Sequence, residues 1–167
     1  MINMSKLYGV NDINKALNKW LAENGFKVRV RGLEEDFYWY VNDNTIGYAL
    51  VCPENSINAW NNLLNELNCQ YTIDVFYSSF LHEVFHSETY HMLDTSDLDI
   101  SNTIKMVIND DPDSFEDIYD TYFHLPVEIA ATRAAVKFIN SHPDKVQQLI
   151  ETTSAAIQKF YELNGVE

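Results

Sequence analysis

Apolar positions in this chain recur first at helical spacing, then at strand spacing, then at helical spacing again. Val10, Ile13, Leu17, Trp20 and Leu21 form a stripe at steps of three and four, with Asn11 as a candidate N-cap and Gly25 just past the end. From Phe26 the period falls to two: Lys27, Arg29 and Arg31 alternate with Val28 and Val30, the mark of a half-buried strand. Residues 34–36 read as a turn and residues 37–41 as a second, strongly aromatic strand. Asn42, Asp43 and Asn44 read as a hairpin connection, and residues 45–52 as a third strand stopped by Pro53. One helix followed by a small three-stranded antiparallel sheet is the expected opening of the fold.

The remainder reads as helical. Ile57, Trp60, Leu63, Leu64 and Leu67 line one side of a helix over residues 57–67, and residues 71–93, free of Pro and Gly, form a long one. Asp94 to Asp97 signal a helix start for a short segment reaching Val107. Residues 109–114 read as a loop and residues 115–122 as another short helix. Pro126 opens a helix running to about Asn140, at the position where its missing N–H costs nothing. Residues 145–163 close the chain with an amphipathic helix through Val146, Leu149, Ile150, Ala156, Ile157 and Phe160, either structural or a dimer contact. With 167 residues, 46% of them hydrophobic, and no repeat or linker, one α+β domain over residues 1–167 is expected.

The long helix carries the chemistry. His82, Glu83 and His86 spell H-E-x-x-H, and on a helix positions i and i+4 stand one above the other. Two imidazoles about one turn apart can share a metal ion. Glu83 sits one step round, able to reach a water there but poorly placed as a further ligand. That pattern belongs to zinc hydrolase helices, with His as ligands and Glu as general base. The bland alternative is a pair of His on a polar helix edge. Phe76, Phe80, Val84 and Ser87 run beside the His row, so one flank should be buried.

Charge narrows the partners. A net charge of −14 repels phosphate backbones, which argues against direct nucleic-acid binding. It leaves room for a soluble enzyme or for an acidic protein that mimics nucleic acid and captures a basic partner. No apolar run spans a bilayer and no secretory signal stands at the N-terminus, so a cytoplasmic protein with no membrane partner is expected. Cys52 and Cys69 are too few for a disulfide framework and read as reduced thiols.

A catalytic zinc usually takes three protein ligands. His91, five residues past His86, lies well round the helix. Asp94, Asp97, Asp99, Glu116, Asp117, His124 and Glu128 remain open. Glu128 shares a helical face with Ala131, Thr132, Ala135 and Phe138, whose small members would let its helix approach the motif helix closely. It could equally be an acid favoured by the helix dipole in a first turn.

The run from Glu128 to Ala135, taken with H-E-V-F-H, resembles the gluzincins, zinc peptidases with H-E-x-x-H and a later helical Glu. It is most similar to their small intracellular ImmA/IrrE-like group of bacteria and mobile elements. The resemblance covers the order of elements and a few identities. Phe85 stands where Gly is usual before the second His, Thr132 where Asn is common, and the gap of 42 residues (128 − 86) implies an inserted segment over residues 94–122. It implies a zincin-like fold and zinc on His82, His86 and Glu128, with Glu83 as base. Tyr122 and His124, just ahead of the ligand helix, are candidate oxyanion donors. A zinc-dependent peptidase acting on a protein or peptide is the expected activity. The alternatives are an inactive zinc-stabilised binding module and the acidic mimic.

Overall fold

A computed structural model of the chain describes residues 8–110 and 119–165. Among the described residues are seven α-helices and one three-stranded sheet, an α+β arrangement. They fall into two compact units, Met1–Leu50 with His142–Glu167, and Val51–Ser141.

In the first unit α1 (Val10–Glu23) buries Ile13, Leu17, Trp20 and Leu21, the stripe its sequence prescribes. It starts directly after Gly9, with no side-chain cap, so Asn11 is not its N-cap. Its end follows expectation: Gly25 takes a φ of 78°, and the Phe26 amide returns to the Leu21 carbonyl at 3.0 Å. The closing helix α7 (Pro143–Leu163) packs on α1, and the Trp20 indole donates to the Lys145 carbonyl at 2.9 Å.

The sheet comprises β1 (Arg29–Leu33), β2 (Tyr38–Tyr40) and β3 (Thr45–Tyr48), in the order β1-β3-β2. β2 and β3 form the expected hairpin, with Asn44 at φ 53° in its turn. β1, however, pairs parallel to β3, Arg29 opposite Thr45, so the sheet is mixed rather than antiparallel. Strand periodicity is two in either case and cannot distinguish the pairings. A side-chain cluster accompanies this pairing. Gly47 on β3 has no Cβ, and Glu34, leaving β1, lies across it where a Cβ would collide. There Glu34 accepts the Tyr40 hydroxyl at 2.6 Å, with Arg31 over the Tyr40 ring at 4.3 Å. The basic alternation of β1 thus ends partly on a local acid. β3 stops at Tyr48, short of the expected end at residue 52, and because it is central both of its edges are taken, leaving none for an added peptide.

The second unit is helical: α2 (Glu54–Glu66), α3 (Val75–Thr89), α4 (Thr95–Asp110), α5 (Tyr119–Phe123) and α6 (Pro126–Ser141). α3 is shorter than its Pro-free letters suggest. It begins at the Asp74 carbonyl, which accepts the Tyr77 and Ser78 amides, and tightens into a 3-10 turn over Tyr90–Met92. α4 is capped by the Asp94 carboxylate on the Asp97 amide at 2.9 Å and runs through Asp110, past the expected stop at Val107. The expected loop over residues 109–114 and helix over residues 115–122 fall largely outside the described residues.

α3 is buried around its circumference, with every residue from Phe80 to Val84 covered, rather than on one flank. α6 lies against it. Glu128 and Thr132 reach its His residues, and Phe138 meets Phe85 at 5.5 Å between ring centroids. Another side of α6 presents Val136 to Trp60, Leu63 and Leu64 of α2. α4 closes over α6 with Ile108 buried and the Ser101 hydroxyl accepting the Val127 amide at 3.3 Å. Among the described residues no helix is long and apolar enough to cross a membrane.

Ala135 is buried between Thr132 and Phe138 on the α6 face turned to α3. Ala135→Leu should therefore force the two helices apart and cost about 1–3 kcal/mol in urea unfolding. A loss below that range would mean that the small side chain is not what permits the approach.

Candidate metal centre

Two helices build the site. α3 supplies His82 and His86, whose rings lie 4.4 Å apart between centroids, and α6 supplies Glu128 from its first turn. Glu128 Oε2 sits 2.8 Å from His82 Nε2 and 2.9 Å from His86 Nε2. All three side chains are buried, Glu128 to 3% exposure. Among the described residues they are the one group of His, Cys, Asp or Glu whose ligand atoms converge closely enough to hold a metal ion.

The donor set fits a catalytic-type zinc site, which combines two imidazoles and a carboxylate and leaves a further position open. A tetrahedral ion bound at about 2.1 Å keeps its ligand atoms roughly 3.4 Å apart. The Glu128 oxygen would part from each imidazole nitrogen by only about half an ångström to admit one. The tautomer of His82 also fits. Thr132 donates its hydroxyl proton to the Glu128 carbonyl at 3.0 Å, which leaves its oxygen to accept from His82 Nδ1 at 2.9 Å. With Nδ1 directed to Thr132, Nε2 is the nitrogen turned to the cluster: it donates to Glu128 here and would present its lone pair to a bound ion, the arrangement metal-bound imidazoles require.

Surrounding groups fix these side chains. The Trp60 ring stands edge-on to His82 at 5.2 Å and is itself held by its indole N–H on Ser78 at 2.8 Å. Glu83 is buried, with Oε1 3.9 Å from His82 Nε2. Burial by itself would push the Glu128 carboxyl up. The charge of His86 and hydrogen bonds from both His outweigh it, holding the group well below the ordinary carboxylate range.

Other sequence candidates lie elsewhere. His91 is exposed in the 3-10 turn, and Asp94 is spent on capping α4. Asp97 and Asp99 are not part of the converging group, and Glu116 and Asp117 lie outside the described residues. His124 is also outside the group: it bonds the Asp120 carbonyl at 2.6 Å and the Glu66 carboxylate at 3.0 Å. Tyr122 comes nearer, its ring centroid 5.3 Å from Lys105 Nζ.

Lys105 was not foreseen. Its ammonium donates to Glu128 Oε1 at 2.6 Å, on the oxygen turned away from the His pair. The only hint is compositional, since Lys105 is the sole Lys or Arg between Arg31 and Arg133.

Thr132→Val should keep the volume, remove the acceptor for His82 Nδ1 and weaken zinc binding about 10–100-fold in a chelator competition, while Thr132→Ser retains it. Unchanged affinity in the Val variant would dismiss the tautomer assignment. At His124, the Asp120 carbonyl bond and then Glu66 raise the pKa against partial desolvation. This tie stabilises the fold fully below the ordinary His value and is lost as pH rises through the raised one. His124→Gln should therefore narrow the difference in Tm between about pH 6 and pH 8. No protein-family model, curated protein or solved structure matches the chain, so the metal centre rests on the convergence of His82, His86 and Glu128 itself.

Proposed function

We propose that the chain is a zinc-dependent peptidase of gluzincin type, acting on a protein or peptide in the cytoplasm. The observation that carries this is a buried two-imidazole, one-carboxylate cluster with a second buried carboxylate, Glu83, next in sequence to its first ligand. His82, His86 and Glu128 would hold the ion, which when bound acidifies water and polarises a carbonyl.

The remaining roles fall to the chain's own residues. Glu83, a buried carboxylate 3.9 Å from His82 Nε2, takes a proton from the attacking water and passes it to the leaving amine nitrogen. Thr132 holds His82 in the ligand tautomer, and Trp60 limits tilting of its ring. Burial of the cluster excludes bulk water and strengthens each of these contacts. Tyr122, whose ring lies against the Lys105 ammonium on Glu128, is the candidate oxyanion donor tied to the cluster, whereas His124 bonds Glu66 and Asp120.

A metal-stabilised binding module has one observation in its favour: both Glu128 oxygens already have partners. It predicts stoichiometric zinc without turnover, and an acidic mimic of nucleic acid predicts neither. Glu83→Gln separates them. It should retain zinc and fold while hydrolysis of a casein-like substrate falls by about 10²–10⁴. Undiminished hydrolysis would remove Glu83 from the mechanism, and zinc-loaded wild type without turnover would favour the module.

A further inference from the structure

Lys105 reaches from α4 to place its ammonium 2.6 Å from Glu128 Oε1 while Oε2 faces the two His. This ion pair is unlike a surface one. Glu128 is 3% exposed on its side chain, and Lys105 is 29% exposed, with the Tyr122 ring 5.3 Å from its ammonium. No other Lys or Arg occurs between Arg31 and Arg133, a stretch that holds most of the chain's 25 acidic residues. The single cation of that stretch therefore lies on the one carboxylate the metal cluster needs.

We propose that Lys105 is an internal counter-cation that competes with the metal for Glu128, setting the affinity of the site and coupling α4 to metal binding. The inference rests on the metal-site reading above. Carboxylate oxygens are about 2.2 Å apart, so Nζ lies within roughly 5 Å of Oε2. A single positive charge and a divalent ion about 6 Å apart repel enough to weaken binding roughly tenfold even at the dielectric of water. In this buried cluster the screening is weaker and the effect larger.

Partners of metal ligands commonly strengthen binding by orienting the ligand, by about 10–100-fold. Here burial in α6 and contact with both His already orient Glu128, so charge decides the sign. Metal binding then releases the ammonium, and the partly open side of Lys105 gives it somewhere to go. Linkage is reciprocal: what takes Glu128 from Lys105 also loosens α4, whose packing on α6 includes Ser101 and Ile108.

The test uses the full chain, stripped with a chelator and titrated with zinc chloride. Zinc affinity is measured by chelator competition for wild type, Lys105→Met, Lys105→Arg and Glu128→Gln, with circular dichroism to confirm folding. Lys105→Met should bind zinc about tenfold more tightly or better, Lys105→Arg close to wild type, and Glu128→Gln far more weakly. In wild type, zinc should also speed hydrogen exchange along α4, a readout that needs no variant. Equal or weaker zinc binding by Lys105→Met, or α4 exchange unchanged or slowed by zinc, overturns the competition and leaves the metal site standing. Failure of folded wild type and folded Lys105→Met alike to bind zinc overturns the site and this inference together.

Discussion

A carboxylate buried to 3% exposure would be costly in an apolar interior, and Glu128 is tolerable only because three partners surround it. Two are imidazoles from α3 and one is an ammonium from α4. α6, the His82–His86 face of α3 and α4 all meet at that carboxylate. Remove the two imidazoles and the carboxylate is left buried without most of its compensation. The close approach it demands explains the small residues around it, Ala131 and Ala135, and the covering of α3 on every side.

The parts that local spacing governs were readable in advance. His82 and His86 share a face because a helix has 3.6 residues per turn, and Glu83 follows from the same geometry. The stripe of α1 and the turn at Gly25 are also local. Glu128 is different. Nothing in its immediate letters separates a ligand from a first-turn acid, and it needed either the resemblance or the packing of α6 on α3. Thr132 shared that face in the sequence, but its bond to His82 depends on how far the two helices are rotated, which periodicity leaves open.

Two features were illegible for a deeper reason. The direction of β1 relative to β3 leaves no trace in a period of two, and the contact that goes with it, the Glu34 side chain over Gly47, is between residues 13 apart (47 − 34). Lys105 belongs to the long segment between His86 and Glu128 that local spacing leaves without an assigned role. Its partner is 23 residues away, on another helix. Only the scarcity of cations around it marked the residue, and scarcity alone does not name a partner.

Because α3 is enclosed on all sides, the site is part of the hydrophobic interior rather than mounted on a loop. Its history of change would follow an unusual course. Buried ionic clusters can often be exchanged for apolar side chains of similar volume with little loss, or even gain, in stability, provided the whole cluster goes at once. Descendants of this chain could shed the chemistry and keep the architecture through a few coordinated exchanges at His82, His86, Glu128 and Lys105. Steps that strip the imidazoles while Glu128 stays charged would leave a buried carboxylate uncompensated, so the two endpoints should outlast such intermediates.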